Sequence, residues 1–214
     1  MVTIIELKGA SNLYKSEYVC LIEEAEMKIK VEIIKDKDLP RSYMDLMNKQ
    51  RRKEAGPKEV KDFKKDYWPG ATFFFVKDGK GIVAFGGLRD IKVNYLGKTY
   101  RILGICNIFS VKKGKGYGKI LIHFMINYLK KKGKTGIGFC GKKVTKFYEK
   151  SGLKSKKSFT WRFAIKDPKT GKVKFDDEDC DGVYYNGKDN FIKKILSTKS
   201  IVYYCLPDVK KPHW

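Results

Sequence analysis

Cysteine is scarce in this sequence and is widely scattered. The five cysteines, at positions 20, 106, 140, 180 and 205, are odd in number, and no two of them form a Cys-x-x-Cys pair. This spacing gives neither a disulfide framework nor a zinc site. We therefore expect reduced thiols in a cytoplasmic protein that binds no metal.

Long apolar runs are also missing. No stretch approaches the roughly 18 residues that a membrane-spanning helix needs. Residues 1–8 lack the charged, then apolar, then small-residue pattern of a signal peptide. We expect no membrane partner.

Arginine is rare although the chain is strongly basic. The net charge is +23, yet only six of the 47 basic residues are arginine. Proteins that read a nucleic-acid sequence use the bidentate guanidinium for base contacts. We expect no specific nucleic-acid partner, although the charge predicts weak attraction to nucleic acid at low salt.

What the chain does contain is enough apolar material for one core. It has 214 residues, of which 42% are hydrophobic and 14% aromatic. A length of this order predicts a single globular domain.

Residues 102–132 are the most informative stretch. Residues 102–109 are mostly apolar and rich in β-branched side chains, which predicts a buried strand. Residues 113–118 read Lys-Gly-Lys-Gly-Tyr-Gly and predict a turn. Residues 120–129 are almost wholly apolar and predict a buried helix, which three lysines and then Gly133 bring to an end.

A glycine-rich turn at the start of a helix can bind phosphate. The backbone can approach a ligand closely where side chains are absent, and the first helical N–H groups have no partner within the helix. The spacing fits neither a P-loop nor the Rossmann fingerprint, because Ile120 follows Gly118-Lys119 and the three glycines are evenly spaced. A plain tight turn with a basic rim is the alternative.

Two short motifs resemble the GNAT N-acetyltransferases. Lys113-x-x-Gly116-x-Gly118 is similar to their Arg/Gln-x-x-Gly-x-Gly/Ala signature, with lysine in the first place. About 30 residues later, the stretch from Phe147 to Gly152 resembles their Phe-Tyr-x-x-x-Gly landmark. The resemblance is sharpest over residues 100–155.

The resemblance implies an α/β (α+β) fold. Its central sheet would be mixed, mostly antiparallel, of about six to seven strands, splayed at the acetyl-CoA site and flanked by helices. We expect a GNAT domain over residues 28–214. Residues 1–27 would form an N-terminal extension, a strand and a short helix, that packs on the core or mediates oligomerisation.

The resemblance also implies acetyl-CoA as the cosubstrate and assigns residues to it. Backbone groups of residues 108–110 would pair with the pantetheine arm, and N–H groups of residues 114–119 would hold the pyrophosphate, with lysines nearby. The cofactor-binding residues implied are Ile108, Phe109, Ser110, Lys113, Gly114, Lys115, Gly116, Tyr117, Gly118 and Lys119.

Two catalytic candidates follow from the same resemblance. Tyr148 takes the place of the tyrosine that protonates the departing thiolate in this family, although a core aromatic is the alternative. Many relatives carry a carboxylate on the strand before the glycine turn, but residues 100–109 contain none, and Asn107 is the polar residue there. A water chain, Glu149 or a carboxylate within residues 176–181 would have to serve as base; we expect His123 to be a core residue.

The acceptor is expected to be a primary amine of a small molecule, aminoglycoside- or polyamine-like. Some features loosely resemble the aminoglycoside 2′-N-acetyltransferase branch, and the acidic segment 176–181 would attract the amine unless it is only a solvated loop. Alternatives are a protein lysine or N-terminal amine, or a CoA-binding module without turnover. A homodimer is a further expectation. The substrate-binding candidates are Asp176, Asp177, Asp179 and Trp214.

Overall fold

A long hairpin of two strands forms the centre of the sheet. The computed structural model describes residues 3–6, 29–56, 70–79, 81–167, 169–176 and 178–205. Its helices are α1 (Arg41–Ala55), α2 (Tyr117–Lys132), α3 (Thr145–Lys150) and α4 (Phe191–Leu196). Its strands are β1 (Thr3–Glu6), β2 (Lys30–Lys35), β3 (Thr72–Lys77), β4 (Ile82–Tyr95), β5 (Lys98–Ser110), β6 (Gly136–Cys140), β7 (Lys154–Lys156), β8 (Phe163–Lys166), β9 (Val173–Phe175), β10 (Asp181–Tyr185) and β11 (Val202–Tyr204).

The strands form one mixed sheet. Its main order is β1-β2-β3-β4-β5-β6-β10-β7, and β11 pairs with the far end of β4 and carries β8 and β9 beside it. Two of the described pairings are parallel, β5 with β6 and β8 with β11. All the others are antiparallel, which confirms the predicted mixed, mostly antiparallel sheet.

The two long helices cover opposite faces of the first half of the sheet. Leu121, Met125 and Leu129 of α2 pack with Phe74 and Leu88 on one face. On the other face, Met47 of α1 belongs to a second apolar cluster with Phe73, Phe75, Phe85 and Cys106. Because successive residues of a strand point to opposite faces, the Phe73-Phe74-Phe75 run supplies both clusters.

A third apolar cluster lies at the end of the hairpin away from the glycine turn. Tyr95, Phe163 and Phe191 are fully buried in it, and α4 and β11 close it. The Tyr95 hydroxyl is hydrogen-bonded to Thr198 and to the Lys194 carbonyl. This cluster comes mostly from residues beyond 153, where the hydrophobic patterns are too short to predict elements clearly.

The segments with clear sequence patterns form the strands and helices that these patterns predict. The sequence predicts strands over 72–76 and 81–93 joined by an Asp78-Gly79 turn, and these form as β3 and β4. The strand and the helix predicted over 102–109 and 120–129 lie within β5 and α2. Lysine alternates with apolar residues over residues 27–34, which predicts a strand; this strand is β2, and the N-terminal strand forms as β1 and pairs with it. The sequence further predicts a short helix capped by Ser11 or Asn12 and a helix over residues 58–67. Both segments, and the chain end at Trp214, lie outside the described residues. The boundary at residue 27 and the homodimer stay predictions.

Two details of the prediction were wrong. The described sheet has eleven strands rather than six to seven, because short strands with weak patterns (β7, β9 and β10 among them) extend its edges. The sequence also predicts a strand from Trp161 to Ile165, but the strand begins only at Phe163, and a 3-10 turn spans Phe159–Arg162. Trp161 lies on that turn because its indole N–H donates to Asp179 (3.1 Å) rather than entering the core.

Asp189 joins two loops at the back of the sheet, and its loss is expected to destabilise the fold. Its carboxylate accepts hydrogen bonds from the N–H and hydroxyl of fully buried Thr135 and from the N–H of Phe191. Asp189→Ala leaves these donors without a charged acceptor, so we expect about 3 kcal/mol lower free energy of unfolding in urea titrations. Asp167→Ala, at an exposed turn with similar bonds, is the control, at about 1 kcal/mol or less. Equal losses would contradict the assignment.

Candidate active site

The sheet is split between β5 and β6. These strands pair only at Leu103 with Gly136 and at Gly104 with Ile137. Gly138 still lies against β5, since a Cβ there would come within 2.9 Å of the Ile105 carbonyl oxygen. Beyond this contact no ladder pair joins residues 105–110 to residues 138–140. Among the described residues no strand covers this edge of β5, which we call the open edge.

β5 bends where it becomes open. Its register with β4 shifts between Phe85 and Gly87, and Asn107 has a φ of 53°, in the left-handed region. The Asn107 Oδ1 atom accepts a hydrogen bond from Nη1 of Arg51, on α1, at 2.5 Å. The Asn107 Nδ2 atom is buried and has no hydrogen-bond acceptor among the described residues. A strained, partly unsatisfied residue of this kind is typical of functional sites.

Residues 108–110, predicted to pair with the pantetheine arm, form the open edge. The Val111 N–H donates to the Val83 carbonyl at 2.8 Å. Because backbone groups of alternate residues point to opposite edges of a strand, Ser110 and Ile108 direct theirs away from β4, toward the gap. Phe109 faces β4 and its ring packs on Phe85 at 5.3 Å between centroids.

The predicted glycine turn lies at the mouth of this gap and starts α2. Gly114 and Gly116 have φ of 75° and 76°, and Gly116 is the N-cap of the helix, where its carbonyl accepts from Lys119 and Ile120. The N–H groups of Gly114, Lys115, Gly116 and Gly118 donate to no acceptor in the part of the chain that the structure describes. Free N–H groups at a helix N-terminus favour a bound anion.

The lysines around the turn have different surroundings. Lys112 is paired with the buried carboxylate of Asp78 at 2.7 Å, and Lys113 with Glu54 of α1 at 2.7 Å. The Tyr117 hydroxyl also donates to Asp78, at 3.3 Å. Lys115 and Lys119 form no ion pair among the described residues. Asp78 therefore anchors the turn, and the charge available to a ligand comes from Lys115 and Lys119.

Tyr148 is on α3 and lies on the β6 side of the gap. Its hydroxyl makes no hydrogen bond within the described residues, and its ring contacts Phe147 at 5.1 Å between centroids. Burial raises the pKa of Tyr148 well above its usual value, and the thiols of Cys140 on β6 and Cys106 on β5 raise it further. The phenol is therefore near both diverging strands and stays protonated at neutral pH.

The acidic segment is largely engaged by the protein itself. Asp179 accepts from Lys142 (2.7 Å) and from Trp161, and these bonds lower the Asp179 pKa. Asp176 is buried and accepts from the Glu178 N–H. Asp181 accepts from the Thr145 hydroxyl (2.8 Å), beside the end of β6. Substrate binding by Asp176 and Asp179 stays a prediction; Asp177 and Trp214 lie outside the described residues.

The other candidate bases have surroundings of their own on α2 and α3. His123 is half-buried on α2, where burial and then Lys119 lower its pKa. Glu149 accepts from Ser155 at 2.5 Å on the exposed side of α3. No group of three or more His, Cys, Asp or Glu side chains among the described residues is arranged to hold a metal ion.

Sequence reasoning missed the contribution of α1 to this site. Arg51 reaches the bend in β5 across 56 positions, and no local pattern marks such a contact. It also missed Glu32, which accepts from Tyr43 (2.6 Å) and Lys77 (2.9 Å) on the same face. Burial opposes ionisation of Glu32, but these two bonds lower its pKa. A carboxylate so engaged ties α1 to the sheet.

The sheet splits beside the glycine turn that starts α2, and comparisons with known proteins give the class of this chain. A sequence model described as acetyltransferase (GNAT) family matches residues 41–153, just over half of the chain. No curated protein matches in sequence. Escherichia coli ElaA is structurally similar, with a TM-score of 0.51 and 12% identity over 73% of this chain and 98% of that chain.

Two further solved structures are similar over most of their length. The GNAT family N-acetyltransferase YhbS from Escherichia coli, in complex with CoA, has a TM-score of 0.49 and 14% identity over 81% of this chain and 88% of that chain. An N-acetyltransferase from Staphylococcus aureus Mu50 has a TM-score of 0.49 and 16% identity over 72% of this chain and 96% of that chain.

The chain therefore belongs to the GNAT acetyltransferase family and is an N-acetyltransferase. This confirms the resemblance carried by the glycine turn and the Phe147-Tyr148 landmark. Among the described helices, none is both long and apolar enough to cross a membrane.

Proposed function

We propose that this protein transfers an acetyl group directly from acetyl-CoA to the primary amine of a small molecule. One observation carries the proposal: the gap between β5 and β6 has unpaired backbone groups along one side, the donors of the glycine turn at its mouth and the Tyr148 phenol at its other side. An extended thioester with a diphosphate at one end matches that order of groups.

The chain's own residues would hold the cosubstrate by its backbone and its charge. The N–H groups of Gly114, Gly116 and Gly118 would hold the diphosphate, with Lys115 and Lys119 supplying positive charge. The open edge at Ile108 and Ser110 would pair with the amide-bearing arm as a further strand does. When bound, acetyl-CoA supplies an activated thioester, so the protein's task is orientation and proton management.

Tyr148 would protonate the departing sulfur. A phenol that remains protonated and lies beside the gap is available as a general acid. The acceptor amine must lose a proton to attack, and β5 offers no carboxylate between residues 100 and 109. Water, or a carboxylate such as Asp181 behind Thr145, would take that proton.

Turnover with a panel of amines tests the proposal. Release of the CoA thiol is measured with a polyamine, an aminoglycoside, amino acids and peptides bearing a lysine or a free N-terminus. We expect turnover with a small amine and none with acetylated controls. Turnover only on peptides would show that the acceptor is a protein amine and not the amine of a small molecule. Binding of CoA with no turnover on any amine would indicate a non-catalytic module.

The pH dependence of turnover should lack a loss at high pH. Because the Tyr148 pKa is raised above its model-compound value of 10.0, the acid form persists as pH rises toward 10. The neutral fraction of the acceptor amine rises over the same range. We therefore expect kcat/KM, measured from initial rates, to rise with pH to a plateau and to show no decline below pH 10. A descending limb between pH 8 and 10, absent in Tyr148→Phe, would contradict this assignment.

A further inference from the structure

Asn107 combines three features that its neighbours on β5 lack. It has a positive φ at the bend, its amide oxygen accepts a hydrogen bond from Arg51 of α1, and its amide nitrogen is buried with no acceptor in the part of the chain that the structure describes. Asparagine tolerates the left-handed region better than most residues. The unsatisfied donor, however, lowers stability and is not required by the bend.

The contact with Arg51 fixes which way the amide points. A guanidinium group has only donors, so the atom of Asn107 that faces it at 2.5 Å must be the oxygen. The NH₂ group is therefore forced to the other side. Reversing the amide would set two donors against each other.

The bend lies at the start of the open edge of β5. The last ladder pair with β6 is at Gly104, and the backbone groups that face the gap begin at Ile108. Cys106, the residue before Asn107, is near enough to affect the Tyr148 phenol. Asn107 thus lies at the inner end of the gap, one residue from a thiol that raises the pKa of the proposed acid.

We propose that the Asn107 NH₂ group donates a hydrogen bond to the carbonyl oxygen of the bound thioester, and that Arg51 is the positioning residue that orients it. This inference rests on the proposed function. As the amine nitrogen forms its bond to the carbonyl carbon, negative charge builds on that oxygen. The carbon–sulfur bond then breaks, its electron pair leaves with sulfur, and Tyr148 supplies the proton. A donor fixed at the oxygen before reaction stabilises the charge.

Asn107→Asp is the sharpest test, because it keeps the shape, the tolerance of positive φ and the contact with Arg51 but replaces the donor by an oxygen. Calorimetry with acetyl-CoA and with CoA, which lacks the carbonyl, separates this role from a structural one. In the wild-type protein we expect tighter binding of acetyl-CoA. In Asn107→Asp, acetyl-CoA affinity should fall about tenfold with CoA affinity unchanged, and kcat about a hundredfold.

Arg51→Ala tests the positioning role. We expect the preference for acetyl-CoA to fall severalfold, and the carbonyl stretch of ¹³C-labelled acetyl-CoA, lowered by the hydrogen bond, to return toward its value in water. Arg52→Ala removes the same charge from the neighbouring exposed position of α1 and should change neither quantity. Thermal unfolding of each variant shows whether the fold is intact.

The outcomes separate this inference from the function on which it rests. Equal losses of CoA and acetyl-CoA affinity in Asn107→Asp would reduce the residue to a structural part of the bend and overturn the inference alone. An unchanged preference for acetyl-CoA over CoA in both variants would also overturn the inference alone. A wild-type protein that binds neither compound would overturn the proposed function and the inference together.

Discussion

Replacing Gly116 by valine is expected to abolish measurable binding of CoA. Gly116 has a φ of 76° and is the N-cap of α2, and a β-branched residue rarely adopts that conformation. An added Cβ meets no protein atom within 4 Å, so the expected damage comes from backbone strain and from side-chain volume where the ligand would lie. When the backbone relaxes, the N–H groups of residues 114–118 no longer converge, and affinity measured by calorimetry should fall more than a hundredfold.

The other end of the same helix provides a matched control. Gly133 is the C-cap of α2, also left-handed, with a φ of 63°. Gly116→Ala and Gly133→Ala should each cost about 1–2 kcal/mol of stability, but only the first should weaken CoA binding. If Gly116→Val retains wild-type affinity while folded, the glycine turn is not the phosphate site. If both alanine variants weaken binding equally, the effect belongs to helix stability.

Replacing Tyr148 by phenylalanine is expected to lower kcat by tenfold or more, or about 1.4 kcal/mol at the barrier. The change removes only the hydroxyl, which makes no hydrogen bond among the described residues, so packing against Phe147 should be retained. CoA affinity should change little because the phosphate donors are elsewhere. Steady-state kinetics and calorimetry on the same preparation separate the two quantities.

Tyr128→Phe is the corresponding control. Tyr128 is a half-buried tyrosine on the same side of the sheet, and its hydroxyl accepts from Lys35 at 3.3 Å, away from the gap. Its loss should leave turnover unchanged. An unchanged kcat in Tyr148→Phe would remove that residue from proton transfer. A loss of CoA affinity as large as the loss of kcat would make it a binding residue instead.

The sequence predicted the part of the fold before Gly152, where the apolar patterns are long and clear. The hairpin strands, the glycine turn and α2 have alternating or continuous apolar patterns and clear stop signals, and they formed close to their predicted bounds. After Gly152 the strands have three to five residues, too few for a period to be visible, and the third apolar cluster was not foreseen. The short helix α4 is fixed by Asp189 and the Tyr95 cluster rather than by its own pattern.

The charges around the site were predictable in number but not in arrangement. The sequence has four lysines near the turn, at 112, 113, 115 and 119, yet Lys112 and Lys113 are paired with Asp78 and Glu54. The acidic segment suggested an exposed amine-attracting mouth, yet Asp179 is bonded to Lys142. In each case the partner is more than 30 positions away, and sequence spacing carries no information on such a contact.

By itself the sequence determined the family and the glycine turn that starts α2, because both depend on residues a few positions apart: glycines that free the backbone, an apolar helix behind them, and Phe147-Tyr148 after a fixed interval. Only the tertiary structure decided where β5 leaves β6, which lysines remain available, and how Arg51 orients the amide of Asn107. These features arise when strands and helices distant in the chain pack together, because the free energy of burying their apolar faces sets their positions regardless of local propensity.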